Sequence, residues 1–169
     1  MLYIKNATII DPVRDRLYKA DLQIEEGRIA GIVEGGGDGG EDLRGTKALA
    51  GTEVLDASGL MIAPGLADTH VHFRDPGFTY KEDIYTGARS AARGGFTRIV
   101  LMANTKPCVD NVETLSYVLD RGKETGIHIS SCANVTLGMA GKELAPMELL
   151  ASQGAAGFTD DGIPLLEKE

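Results

Sequence analysis

Apolar residues dominate Leu2–Ile10, which reads as a strand ended by Asp11-Pro12. Ala20–Ile24 and Arg28–Val33 flank Glu25-Glu26-Gly27, a stretch with the composition of a hairpin turn. Gly35–Gly40 follows, glycine-rich and most simply a flexible surface loop. It lacks the Lys and Ser/Thr of a phosphate-binding P-loop, and no strong helix comes after it. Glu53–Asp56 and Leu60–Ala63 read as short strands, so the first section is a small β unit.

From Gly65 onward the pattern alternates. Leu66–Val71 is a mostly apolar strand that runs into a polar cluster. A helix is predicted over Glu82–Arg93, stopped by Gly94-Gly95, and a buried strand over Thr97–Met102. Asn111–Thr125 is a second helix with Val112, Leu115, Val118 and Leu119 on one face, and Ile127–Cys132 a third strand. Pro146 suits the first position of a helix over 146–153, and Ala155–Phe158 reads as a fourth strand before Thr159-Asp160-Asp161-Gly162. The strand starts recur about every 30 residues, the length of a βα unit. That spacing predicts a parallel sheet with helices outside, either a doubly wound sheet or a barrel. A barrel takes eight such units in roughly 250 residues. Four are expected here, so on the barrel reading residues 64–169 are the first half of a barrel and residues 1–63 part of a small β domain.

Charge narrows the function classes. The 25 acidic residues outnumber 17 basic ones, for a net charge of -8. That balance opposes sequence-independent nucleic-acid binding and attraction to anionic membranes. Cys108 and Cys132, far apart and outside any CxxC, are expected to be reduced thiols of a cytoplasmic protein. The N-terminal residues MLYIKNATIIDP show neither the apolar core nor the cleavage site of a signal peptide.

The chemistry gathers after Leu66–Val71, in Asp68-Thr69-His70-Val71-His72-Phe73-Arg74-Asp75-Pro76-Gly77. Residues two apart on a strand share a face, so His70 and His72 can reach one metal ion from a rigid base. An HxH pair alone is a weak signal, and its strand context strengthens it. Asp161 reads equally as a turn residue, in the common Asp-Gly dipeptide, and as a carboxylate ligand. Arg74 is either a surface ion pair or a bidentate clamp on a substrate carboxylate. Asn104 either caps a turn or hydrogen-bonds a substrate carboxylate or amide. His128 reads as structural, since nothing beside it resembles a ligand set.

HVHFRDPG, YKEDI, GGFT, MANTKP and FTDDG together resemble the dihydroorotases of the amidohydrolase superfamily, in the branch with an aspartate metal bridge. The resemblance covers nearly the whole chain and implies a distorted TIM barrel with a small β-sandwich built from both termini. It implies two zinc ions, with His70 and His72 as ligands of the first, Asp161 as the bridge and Asp160 as its support. It assigns the substrate carboxylate to Arg74 and Asn104, with His72 bordering it. The implied reaction is zinc-assisted opening of dihydroorotate to carbamoyl aspartate, in pyrimidine synthesis. Further metal histidines and the catalytic aspartate are expected beyond residue 169, so residues 1–169 alone are expected to be inactive. A homo-oligomer and aspartate carbamoyltransferase are the partners such a protein suggests. Rival readings are a hydantoinase or allantoinase, and a non-catalytic scaffold. The former relatives bridge their metals with a carboxylated lysine, where Gly157–Asp161 offers aspartates. Ala103 stands where the family usually has proline, which is expected to loosen that loop. Ser131–Asn134 also departs from the family pattern, which questions a contribution of the third strand to the site.

Overall fold

In the computed structural model, which describes residues 1–35 and 53–165, the opening strand changes face partway along its length. β1 (Leu2–Asp11) buries Ile4, then Ala7 and Ile9, so the buried positions switch from even to odd. A register shift against β2 (Arg16–Glu25) lies between Ile4 and Ala7, where Asn6 has φ 61°. One extra residue in a strand reverses the alternation beyond it, and asparagine tolerates the left-handed backbone this needs. Asp21 fixes the bulge by accepting the Asn6 N–H at 2.8 Å.

β2 and β3 (Arg28–Glu34) are antiparallel and joined at Glu26 (φ 48°) and Gly27 (φ 72°). Two consecutive positive φ values make the tight turn whose twist matches a hairpin. β4 (Glu53–Asp56) and β5 (Met61–Ile62) pair in parallel with β1. The hairpin expected at Glu25–Gly27 is present, and β2 starts four residues before the expected Ala20. Apart from Gly35, the glycine-rich stretch lies outside the described residues.

The chain divides into two compact units, Met1–Pro64 and Gly65–Glu169. The first has its own core of Ile4, Ala7, Ile9, Ala20, Leu22 and Ala57. In the second, β6 (Leu66–Val71), β7 (Phe96–Leu101) and β8 (His128–Ser131) form a parallel sheet in that order. α1 (Ile84–Arg93) and α2 (Val112–Lys123) connect them, and α3 (Met147–Ser152) follows β8. α1 begins at Asp83, whose carboxylate accepts the N–H groups of Tyr85 and Thr86 at 2.8 Å. α2 begins at Asn111, which accepts the Thr114 N–H at 2.9 Å. Each side chain satisfies amides that the first helical turn leaves free. Leu115 and Val118 of α2 are buried against Ile99 and Ile129, with Val112 and Leu119 packed at the margin of the same core.

Two expectations need correction. Pro146 precedes α3 rather than opening it, as its ψ of 67° is not helical. Ala155–Phe158 is not a full strand: a single parallel bridge joins Phe158 to Ala133. The segment still runs along β8, with Ala156 N–H to Ser131 O at 2.8 Å, Ala133 N–H to Gly157 O at 2.9 Å and Thr159 N–H to Ala133 O at 2.9 Å. Ala155-Ala156-Gly157 has little side chain to pack, which suits so short a pairing.

Candidate metal centre

β6 delivers the first two candidate ligands. Asp68 accepts the His70 N–H at 3.0 Å, which fixes the strand end locally. His70 lies on the strand and His72 just past it, and their ring centroids are 5.2 Å apart. Asp161 arrives from the far end of the unit. His70 Nε2 lies 3.3 Å from Asp161 Oδ1, and His72 Nε2 lies 3.4 Å from Asp161 Oδ2. The three donor atoms all lie within 4.8 Å of one another.

Each histidine–carboxylate separation is in the range of neighbouring ligands on one cation, and the two end on different oxygens of Asp161. Ligand atoms ~2.0–2.1 Å from a tetrahedral zinc lie ~3.3–3.4 Å from one another. Two nitrogens facing the two oxygens of one carboxylate form a donor set of the kind that zinc takes.

The backbone around Asp161 explains why it points there. Asp160–Ile163 is a turn in which the Ile163 N–H bonds Asp160 O at 2.8 Å and Gly162 has φ 80°. The turn and ligand readings of Asp161 are therefore compatible. Asp160 is buried and anchors the turn. Its carboxylate accepts the Val135 N–H at 2.9 Å, the Thr136 N–H at 3.2 Å and the Thr136 hydroxyl. Asn134, fully buried, adds its Nδ2 at 3.3 Å, so the segment after β8 braces the aspartate pair.

Asn104 sits between the two ligand types. Its Oδ1 lies 2.9 Å from His72 Nδ1, and its Nδ2 donates to Asp161 Oδ2 at 3.2 Å. With an amide oxygen as acceptor, Nδ1 carries the imidazole proton and Nε2 turns a lone pair toward Asp161. In the loop holding Asn104, the carbonyl of fully buried Ala103 accepts the N–H groups of Thr105 at 3.0 Å and Val109 at 3.1 Å. Arg74 is half-buried, and among the described residues its side chain makes no hydrogen bond or ion pair. His128, at the start of β8, is exposed and lies 3.2 Å from Ser130 Oγ. The resemblance gave Asp160 a supporting role, but its partners Asn134, Val135 and Thr136 were not visible in the sequence, since they lie 24 to 26 positions away and follow no local period.

This parallel βα arrangement is the fold of solved hydrolases. An L-hydantoinase (dihydropyrimidinase) from Arthrobacter aurescens superposes with a TM-score of 0.66 at 21% identity, over 93% of this chain and 32% of that one. An N-acyl-D-glutamate deacylase from Bordetella bronchiseptica, complexed with zinc and a phosphonate inhibitor, superposes with a TM-score of 0.61 at 20% identity, over 98% of this chain and 40% of that one. The chain belongs to the dihydro-orotase-like family, whose sequence model matches residues 59–168. It is 49% identical over 167 residues to a dihydroorotase of Clostridioides difficile and 46% identical over 167 residues to one of Clostridium acetobutylicum. Each alignment covers 99% of this chain and 37% of the relative, so the chain spans little more than a third of those proteins.

Proposed function

We propose that the whole protein is a zinc-dependent dihydroorotase, which reversibly hydrolyses the cyclic amide of (S)-dihydroorotate to N-carbamoyl-L-aspartate. Family membership supports the activity, and the convergence of His70, His72 and Asp161 carries its assignment to a metal centre. In this reading His70, His72 and Asp161 would hold the metal centre. Zinc held there would contribute an acidified water and Lewis acidity toward the ring carbonyl.

The remaining work falls to this chain's own side chains. Arg74 presents a planar pair of N–H donors that match the exocyclic carboxylate of dihydroorotate. Asn104 borders the same carboxylate while it holds the His72 tautomer through the 2.9 Å contact. Holding the ring by its carboxylate orients the scissile amide and removes part of the entropic barrier. Asp160 keeps Asp161 in place through its bonds to Val135 and Thr136. A general acid–base aspartate and further metal histidines belong to the rest of the protein, which completes a barrel on the β6–β8 sheet. The reading also carries a cytoplasmic location, and a second copy or aspartate carbamoyltransferase as partners.

His70→Ala and Asp161→Ala in the full-length protein test the centre. Each should lower zinc content and reduce dihydroorotate turnover beyond the ~10–100-fold that loss of an outer-sphere partner costs. Full zinc content and activity in both variants would remove the assignment. A substrate panel tests the specificity, since hydrolysis of hydantoin or allantoin but not dihydroorotate would move the protein to a related activity.

A further inference from the structure

Arg74 holds a backbone conformation, φ 62°, that side chains avoid. A non-glycine residue stays there when its neighbours over-determine it. Both neighbours are buried: Phe73 is 6% exposed and Asp75 4%. The Phe73 ring lies so close under α1 that a Cβ at Gly87 would come within 2.5 Å of it. Asp75 Oδ1 accepts the Tyr117 hydroxyl at 2.9 Å, and Oδ2 accepts the N–H of Ile84, the first residue of α1, at 3.3 Å. The Arg74 carbonyl takes the Phe78 N–H at 2.9 Å, and Pro76 O takes the Lys106 N–H at 3.0 Å.

Tyr117 is itself fixed. The Arg121 guanidinium stacks on its ring with 4.2 Å to the centroid and donates to Tyr85 Oη at 3.1 Å. Burial, reinforced by the Asp75 carboxylate, pushes the Tyr117 phenol above its ordinary pKa, so it remains a donor. A cation without a partner among the described residues thus sits on a backbone pinned from both sides.

We infer that Asp75 and Tyr117 are positioning residues for Arg74: the phenol–carboxylate pair sets the backbone from which the guanidinium meets the substrate carboxylate. The inference rests on the dihydroorotase reading and adds to it a reach from α2, 42 positions along the chain. Loss of the phenol oxygen leaves a buried carboxylate oxygen unpaired and frees the Arg74 backbone to relax, away from the metal ligands. The effect should fall on binding rather than on the chemical step.

The test uses the full-length, zinc-loaded protein with dihydroorotate. Tyr117→Phe should raise KM on the order of 10-fold while kcat and zinc content stay within about 2-fold. Arg74→Ala should raise KM further, and Tyr117→Phe should add nothing in the Arg74→Ala background. Asp75→Asn, a second variant in case Tyr117→Phe folds poorly, should show the same split between KM and kcat. An unchanged KM in Tyr117→Phe beside a raised KM in Arg74→Ala would overturn the positioning role and leave the reading of Arg74 intact. Full additivity of the two substitutions would overturn it as well. An unchanged KM in Arg74→Ala would sink both, because the arginine would then not meet the carboxylate.

Discussion

Individual side chains here divide into those poised to react and those held inert. The thiols are of the second kind. Burial, with the Asp110 carboxylate adding to it, pushes the Cys108 thiol up to about 11, and burial also raises Cys132. The reactive form of cysteine is the thiolate, so both should alkylate slowly with iodoacetamide at pH 8 and faster in urea. The Cys108 rate should climb as pH approaches 11, and a fast reaction at pH 8 would contradict the raised value. The sign of the linked stability follows. Relative to Cys108→Ser, the Cys108 contribution is fully present below pH 9.0 and is lost as pH rises toward 11, because the unfolded thiol gives up its proton first. Cys108 and Cys132 are not bridged to each other. The candidate ligands were legible for a different reason. His70 and His72 stand two apart at the end of β6, a spacing that predicts a shared face. The contact between Asn104 and His72 spans 32 positions with no periodic signal, and only the fold brings the two together.

At the scale of elements, β6, β7 and β8 and the helices between them were readable to within about two residues, because each carries a strong apolar period and a polar or glycine stop. The fourth strand was overread, since Ala155–Phe158 has a strand's apolar content without enough side chain to build a ladder. The bulge in β1 was not anticipated, since a reversal of alternation shows only once the partner strand is known. Packing between elements gives a measurable prediction. Leu115 is fully buried between α2 and the sheet, and Leu115→Ala should destabilise the protein by about 2–5 kcal/mol. Gly87→Ala adds a methyl within 2.5 Å of the Phe73 ring and should cost about 1–3 kcal/mol. Urea denaturation of the two variants checks both, and a midpoint unchanged from wild type in either would show that the helix can shift aside. On the proposed role of Arg74, Gly87→Ala should also weaken dihydroorotate binding, because Phe73 precedes Arg74.

At the scale of the second unit, the candidate centre joins its first strand to the Asp160–Ile163 turn, so a metal held there would couple binding to folding. A ligand that binds only the folded state stabilises it by about 2.7 kcal/mol at 100 times its Kd. Chelation should therefore lower the melting temperature of the full-length protein, zinc should restore it, and His70→Ala should abolish the difference. A melting temperature indifferent to chelator would separate the centre from stability. No helix among the described residues is long and apolar enough to cross a membrane. One seam sets a further condition on the whole. Gly77 has φ 92°, and a Cβ there would lie 2.0 Å from the Lys106 carbonyl oxygen. The obstacle is main chain, so no change of side chain at 106 can make room. Drift at this position is closed to the lineage unless both loops are rebuilt together. A descendant with any other residue at 77 should carry a reshaped path through the loops that hold Arg74 and Asn104.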